Sequence, residues 1–242
     1  MSDPTGRRCQ IITITGRKGG VGKTSLAYFL ATRYAEMKRK VLAIDLDPQG
    51  NLTWSLSGNF LDGQTDLWLT QGSDPQTVPL GLDCTAGGKE LTSARIQSLW
   101  PTMLSERIER CTQWDTFIID CPPGSPHLEQ LGIAAADVQL ICTDAHPYGL
   151  SGAIELMGEW RTGRERSRPV AARAAFVLTR VLLTRTADRE LPDILREEFP
   201  EAPQFLIRQD ANLAAATANQ IPLSEGCRAW DDIEKIREWI DD

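Results

Sequence analysis

A glycine-rich segment at residues 17–24 combines two lysines and a threonine in a spacing suited to holding phosphate. Glycine permits backbone angles that other residues rarely adopt and lets N–H groups approach phosphate oxygens. A helix beginning directly after the segment would add unpaired N–H donors and the positive end of its dipole. We therefore predict a phosphate-binding loop with Lys23 on the β and γ phosphates, Thr24 on Mg²⁺ and Ser25 close by. The segment consists of Arg17, Lys18, Gly19, Gly20, Val21, Gly22, Lys23 and Thr24.

This segment departs from the common pattern G-x-x-x-x-G-K-[ST]. Arg17 occupies the position of the first glycine, and Lys18 follows it as an extra lysine. The segment fits the variant x-K-G-G-x-G-K-[ST] instead. Six matched positions should arise by chance in roughly 10⁻⁵ of chains of this length at average residue frequencies. An accidental glycine-rich turn is therefore a poor explanation.

Three aspartates follow or end apolar runs elsewhere in the chain. Asp120 ends the run at 116–120, Asp45 ends the run at 41–45, and Asp47 lies just beyond it. Ligands of wound α/β sheets bind at the carboxyl ends of the strands. Asp120 is therefore predicted to hold Mg²⁺ beside the loop through water, because Mg²⁺ keeps several waters. Asp45 and Asp47 could serve metal and water together.

Short apolar runs alternate with longer amphipathic segments along the chain. Nearly continuous apolar runs are typical of parallel strands covered on both faces. Strands are predicted at 10–15, 41–45, 81–85, 116–120, 138–143, 174–178 and 204–207, and helices at 24–38, 105–113, 126–136, 150–161, 187–198, 211–218 and 231–240. Residues 52–95 are the least legible part of the sequence, and short helices and surface loops are expected there around the strand at 81–85. The pattern predicts a wound, mostly parallel α/β sheet flanked by helices.

Length and composition favour one domain. The 242 residues are 41% hydrophobic with a net charge of −7, which suits a soluble globular protein. Residues 1–8 form a short polar N-terminal tail, and residues 9–242 are expected to form the single domain. No apolar run is long enough to cross a membrane, and no secretory leader is expected. The six cysteines include no C-x-x-C pair, which indicates structural thiols in a reducing compartment.

Three motifs together resemble the ParA/MinD family. Residues 17–24 look like its deviant Walker A loop, residues 41–51 resemble its second motif, and residues 117–123 resemble its Walker B motif and switch. The resemblance covers about residues 9–222 and implies a P-loop NTPase fold with ATP and Mg²⁺. It also implies that Asp47 positions the attacking water, and that Asp45 supports the metal's hydration. It further implies that Lys18 crosses a dimer interface to the partner's nucleotide.

The base specificity is encoded less clearly than the phosphate site. Thr179 and Arg180 end a predicted strand where family members contact the base. No N-K-x-D motif for reading guanine occurs there, which favours ATP over GTP. The expected enzyme is a Mg²⁺-dependent ATPase producing ADP and phosphate, with Lys18, Lys23 and Asp47 as its catalytic residues.

An arginine-rich region stands out against the acidic total. Residues 161–189 contain eight arginines and only two acids. By resemblance to the ParA branch, Arg180, Arg185, Arg189 and Arg208 are candidates for binding DNA without sequence preference. Arg161, Arg164, Arg166 and Arg168 form a second candidate patch. Because the first strand begins near residue 10, the chain resembles short ParA forms that segregate plasmids or position protein cargo.

This resemblance implies an ATP-dependent homodimer on nucleoid DNA in the cytoplasm, with a ParB-like or cargo-adaptor partner that stimulates hydrolysis. A MinD-like membrane-cycling ATPase is the main alternative. The amphipathic tail 228–242 carries six acids against three basic residues, so anionic lipid should repel it and it is expected to pack on the core. An iron–sulfur carrier and an ATP-binding protein that barely hydrolyses remain further alternatives.

Overall fold

The computed structural model describes residues 9–59, 64–223 and 225–242. One sheet organises these residues, in the order β3-β4-β2-β5-β1-β6-β7-β8. All neighbours run parallel except β3, which pairs antiparallel with β4. This confirms the wound, mostly parallel α/β sheet. The predicted polar tail at residues 1–8 lies outside the described residues.

The central strands are short apolar runs, as the sequence indicates. Their side chains are almost all buried, because helices cover both faces of a parallel sheet. The strands are β1 (Gln10–Thr15), β2 (Val41–Asp45), β3 (Gln76–Thr77), β4 (Asp83–Thr85), β5 (Thr116–Asp120), β6 (Val138–Thr143), β7 (Arg173–Val181) and β8 (Gln204–Arg208). Four of the seven predicted strands have the predicted bounds. The two-residue β3 was not predicted.

Helices connect the strands and cover the sheet. They are α1 (Lys23–Glu36), α2 (Asn51–Ser57), α3 (Thr65–Gln71), α4 (Ala94–Gln97), α5 (Met103–Glu109), α6 (Pro126–Ala135), α7 (Pro147–Glu165), α8 (Thr186–Glu198), α9 (Ala211–Asn219) and α10 (Arg228–Asp241). All seven predicted helices exist. The region 52–95 contains the expected short helices. Helix α7 is longer at both ends than predicted, and its earlier start follows from Pro147, which begins the helix after the capping residue His146.

Two layers of helices enclose the sheet. One face packs on α1, α2, α9 and α10, with buried residues such as Ile14 and Leu140 at the contact. The other face packs on α3 to α6 around Phe117 and on α7 and α8 around Phe176. The sheet therefore presents its carboxyl edge, rather than a face, to solvent. That edge carries the loops that follow β1, β2, β5, β6 and β7.

The C-terminal helix α10 packs on the core. Ile233, Ile236 and Ile240 are buried in the same cluster as α1, and α10 lies against β8. This is the packing expected from its acidic, amphipathic sequence. Within the described ranges, no helix combines the length and the apolar character needed to cross a membrane.

Candidate active site

The segment at residues 17–24 forms the loop between β1 and α1. Gly20 and Gly22 adopt positive φ angles of 73° and 84°, which favour glycine. Gly22 is the residue before the first turn of α1, whose N–H groups have no acceptor within the helix. Val21 is buried, and its carbonyl accepts a 2.7 Å hydrogen bond from Thr179 Oγ1. The loop is thus pinned to the sheet through Thr179.

Lys23 lies folded into this loop. Its side chain is almost fully buried, and Nζ donates a 3.2 Å hydrogen bond to the backbone carbonyl of Lys18. A buried ammonium with a weak neutral partner is poised to gain a stronger, charged one. A phosphate group in the loop would supply that partner, which agrees with the predicted role of Lys23.

Thr24 and Asp120 meet at the end of β5. Thr24 Oγ1 donates a 2.7 Å hydrogen bond to Asp120 Oδ2. Asp120 Oδ1 is buried and has no hydrogen-bond partner among the described residues. Burial raises the pKa of the Asp120 carboxyl, and the neighbouring Asp45 raises it further. An unpartnered buried carboxylate oxygen beside a hydroxyl matches the hard oxygen donors that Mg²⁺ prefers, so these two residues fit the predicted metal.

Asp45 lies beside Asp120 at the same register of the neighbouring strand β2, but its oxygens are occupied. Oδ1 accepts from the Asp47 N–H at 3.0 Å. Oδ2 accepts from the Thr53 N–H at 2.9 Å and the Thr53 hydroxyl at 2.7 Å. Burial raises the Asp45 pKa, and these hydrogen bonds oppose the shift. Asp45 therefore holds the turn between β2 and α2 in place.

Asp47 lies in that turn. Its Oδ1 accepts a 2.9 Å hydrogen bond from the Gln49 N–H, and its carbonyl accepts from the Gly50 N–H. Gly87 packs so closely that a Cβ there would lie 2.3 Å from the Asp47 carbonyl oxygen. The Asp47 carboxylate is close enough to Asp120 to contribute to its raised pKa. The structure therefore brings the three predicted aspartates, Lys23 and Thr24 to one end of the sheet.

Asp144, which sequence reasoning missed, joins two predicted cations. It follows β6 at the same edge, and its carboxylate accepts hydrogen bonds from Lys18 Nζ at 2.8 and 3.0 Å. Arg180 Nη2 lies 3.7 Å from Asp144 Oδ2 and donates to the carbonyl of Gly20. The signal that could have found Asp144 is an acid just past a buried strand, as for Asp47.

Arg17 is held on the other side of the loop. Its guanidinium donates to Glu155 at 2.6 Å and to Glu159 at 2.7 Å, and it lies 3.6 Å from Glu129. Burial lowers the Arg17 pKa, but the hydrogen bonds to Glu159 and Glu155 and the charge of Glu129 outweigh it and raise the pKa overall. Adjacent residues of the loop are therefore tied to different elements, Arg17 to α6 and α7 and Lys18 to the loop after β6.

A cavity of about 330 Å³ opens beside the first turn of α1. Ser25, Thr179 and Arg180 line it, together with Gln209 and Asp210 after β8. Its size lies at the lower end of the range for small-molecule sites. The three predicted nucleotide contacts thus line one cavity next to the phosphate loop. Gln209 and Asp210 were missed, because nothing in their local sequence distinguishes them from other loop residues.

The candidate DNA-binding arginines differ in their surroundings. Arg185 and Arg189 are exposed at the start of α8. Arg208 is held by Asp232 through hydrogen bonds of 2.8 Å from Nε and 2.8 Å from Nη2. In the second patch, Arg161 is bound to Glu201 at 2.7 Å, while Arg164, Arg166 and Arg168 are exposed at the far end of α7.

The parallel sheet, the phosphate loop and the acidic residues beside it define a P-loop nucleotide-binding protein. A family model described as an AAA domain matches residues 9–169. With its relatives and structural neighbours, this match shows that the chain belongs to the ParA/MinD family of ATPases. The predicted family and ATPase class are thereby confirmed.

The relatives and neighbours resemble the chain over most of its length. Chromosome-partitioning ATPase Soj from Thermus thermophilus is 28% identical over 232 residues, covering 90% of this chain and 91% of that protein. McdA from Cyanothece has a TM-score of 0.80 at 23% identity, with 96% and 98% of the two chains covered. MinD from Pyrococcus horikoshii, solved with Mg-ADP, has a TM-score of 0.76 at 21% identity, with 96% of each chain covered.

Proposed function

We propose that the chain is a ParA-type switch that dimerises on ATP, binds DNA without sequence preference and hydrolyses ATP when a partner stimulates it. One observation carries the proposal: the phosphate loop and a cationic surface share the carboxyl edge of the sheet. Lys18, Arg180 and Arg185 line one cavity of about 440 Å³ directly beside the loop. The residues that bind nucleotide and the residues that bind DNA phosphate would therefore be neighbours in the structure.

Nucleotide binding is assigned to the phosphate loop and to the acidic residues beside it at the carboxyl edge of the sheet. Gly19, Gly20, Val21 and Gly22 present backbone N–H groups to the phosphates, and Lys23 exchanges the Lys18 carbonyl for a phosphate oxygen. Thr24 and Asp120 would hold Mg²⁺, with Asp45 fixing the adjoining turn. A Mg²⁺ held there would supply positive charge that offsets the charge of the phosphates. The adenosine would occupy the cavity lined by Ser25, Thr179 and Arg180.

Hydrolysis is assigned to Asp47 and to the two lysines. Asp47 lies in a turn fixed by Asp45 and by the close packing of Gly87, so its carboxylate is preorganised to orient a water molecule. In the dimer, Lys18 would leave Asp144 and reach the nucleotide of the other subunit. A partly exposed ion pair contributes little, so this exchange costs little, whereas a cation supplied in trans can raise rates by about 10³–10⁵.

The test is DNA binding as a function of nucleotide. We would measure fluorescence anisotropy of a random-sequence duplex with Asp47→Ala, which should hold ATP without turnover, and with the unaltered chain in ADP. Asp47→Ala with ATP should bind, and the ADP state should bind weakly. Equal binding in both states, or none in either, would contradict the switch. Co-sedimentation with anionic liposomes in ATP distinguishes the MinD-like alternative.

Stimulation requires a second measurement. The encoded partner would be a small ParB-like protein or a cargo adaptor, and the cargo would be a plasmid, a chromosome or a protein assembly. Turnover should rise with that protein present and should stay at its basal rate in Lys18→Ala. A chain that binds ATP but is not stimulated would match the non-hydrolysing alternative instead.

A further inference from the structure

A third cavity lies away from the nucleotide site, in a groove between α6 and α7. It has a volume of about 420 Å³. Its walls are largely apolar, with Ile133 and Ala134 on the α6 side, Leu156 and Trp160 on α7, and Val170 beyond them. Apolar walls with a few polar groups in a cavity of this size are typical of small-molecule sites. This groove shares none of its lining residues with the cavity assigned to adenosine.

Gln139 provides a polar group among these walls. It lies on β6, is 1% exposed and lines the groove. Its Nε2 donates a 3.2 Å hydrogen bond to Thr15 Oγ1, but Oε1 has no partner within the described part of the chain. Buried side-chain oxygens nearly always accept a hydrogen bond. Because the Gln139 side chain also lines the groove, a small rotation of its amide would let an N–H group of a bound molecule supply the missing donor.

The same groove carries negative charge at its rim. Glu159 lines it and is shared with Arg17, which also binds Glu155 and lies near Glu129. Three carboxylates around one guanidinium leave the cluster negative. The side chains of Glu155 and Glu159 are 58% and 59% exposed, so they are accessible to a second cation. The opposite end of the groove carries Arg168.

From these contacts, we infer that the groove binds a small aromatic amine. The ring packs between the apolar walls from α6 and α7, a ring N–H donates to Gln139 Oε1, and the ammonium group contacts Glu159. Both polar anchors also touch the strand–loop junction, since Gln139 binds Thr15 and Glu159 binds Arg17. Occupancy of the groove is therefore coupled to the phosphate loop.

Three indoles of different charge test the site on the full chain without nucleotide or DNA. Tryptamine carries an ammonium group, indole is neutral and indole-3-propionate is an anion. Calorimetry and amide NMR shifts should show tryptamine binding about fivefold tighter than indole, with indole-3-propionate weakest, as expected for a partly exposed ion pair. Shifts should centre on α6, α7 and β6. No binding, or tighter binding of the anion, would overturn the proposal.

Variants locate the binding. Ala134→Phe places a ring in the groove and should abolish tryptamine binding, whereas Ala94→Phe, at an exposed position on α4, should leave it unchanged. Glu159→Gln should remove the preference for tryptamine over indole. Gln139→Leu should weaken all three indoles. If Gln139→Leu does not fold, the comparison of tryptamine binding in Ala134→Phe and Ala94→Phe still tests the site. Equal binding by Ala134→Phe, or a tryptamine-soaked crystal showing only water at Gln139, would refute the site.

Coupling to the loop has its own measurement. Saturating tryptamine should change the Kd for ATP by at least about twofold, and ATP should change the Kd for tryptamine by the same factor, because linkage is reciprocal. In Ala134→Phe the Kd for ATP should not respond to tryptamine. An unchanged Kd for ATP in the unaltered chain would overturn the coupling. DNA binding enters none of these measurements, so their failure leaves the proposed switch to be judged separately.

Discussion

Two arginine-rich regions differ in where the fold places them. Arg180 and Arg185 line one cavity with Lys18 of the phosphate loop, and Arg189 follows in the first turn of α8. The same arginine-rich stretch of sequence also includes Arg164, Arg166 and Arg168, but these lie at the far end of α7. That helix is 19 residues long, so its ends are ~28 Å apart at 1.5 Å per residue. Only the first region is placed to respond to nucleotide.

Within each region, the arginines also differ in what they contact. Arg180 is tied to the loop through Gly20 and Asp144, while Arg185 and Arg189 are exposed. Arg161 is bound to Glu201, and its guanidinium lies 4.3 Å from the ring centroid of Phe199. Some arginines of the sequence are therefore free to bind phosphate, whereas others form contacts that stabilise the fold.

The largest expected effect comes from removing nucleotide. Lys23→Ala takes away the buried ammonium and should weaken ATP binding by at least about 100-fold, since two charged hydrogen bonds contribute about 3 kcal/mol or more. Calorimetry with Mg²⁺ and ATP measures this loss. Any gain in DNA affinity on adding ATP should disappear with it. If ATP still strengthened DNA binding in Lys23→Ala, the carboxyl-edge arginines would not be controlled by this site.

The next effect separates the two arginine regions directly. Arg185→Ala with Arg189→Ala should weaken ATP-dependent DNA binding by at least about tenfold at physiological salt. It should also lower the slope of log affinity against log salt by about 3–4, because a dimer loses four phosphate contacts. The matched control is Arg164→Ala with Arg166→Ala, which removes the same charge at the far edge. Equal losses in both pairs would contradict the comparison.

A smaller effect concerns the bond that restrains Lys18. Asp144→Asn removes the charge that pairs with Lys18 and faces Arg180; the two side chains of the Lys18–Asp144 pair are 28% and 17% exposed. Because Lys18 would no longer be held by Asp144, the ATP concentration for half-maximal DNA binding should fall by about two- to fivefold. Asp193→Asn, which breaks an exposed pair with Arg196 on α8, serves as control. A higher ATP requirement would show that Asp144 supports the active state instead.

The smallest effect tests the structural role of the far region. Arg161→Ala removes the bond to Glu201 and the contact with Phe199, and should lower the free energy of unfolding by about 1 kcal/mol or less. Urea unfolding measures it, and DNA affinity should stay unchanged. Arg164→Ala, at an exposed position of the same helix, is the comparison. A drop in DNA affinity for Arg161→Ala would assign the far region a binding role.

Much of the fold could be predicted from local patterns. The runs at 10–15, 41–45, 116–120 and 138–143 are buried on both faces, so their apolar character marks their bounds. Strand β7 runs to Val181 because its pairing with β8 shifts register after Leu178, and Arg180 there has a φ of 54°. Such an irregularity depends on the neighbouring strand and leaves no periodic signal.

The site was predicted in its residue types and only partly in its contacts. Lys23, Thr24 and Asp120 were predicted as site residues because loop chemistry demands particular residues at fixed spacing, and the structure brings them to one end of the sheet. The three hydrogen bonds that occupy Asp45 were not foreseen, since Thr53 reaches it from a helix whose position depends on packing. The same holds for Asp144, whose partner Lys18 is 126 positions away in the chain.

The sequence alone determined the class of this protein. A glycine-rich loop with its lysines, and acids at the ends of apolar runs, are local requirements of phosphate and metal chemistry, and they can be recognised one segment at a time. Only the tertiary structure decided which charges are free, which are bound, and that a groove lies between α6 and α7. Those outcomes depend on segments distant in sequence meeting in space, because an ion pair or a cavity belongs to the packing of several elements.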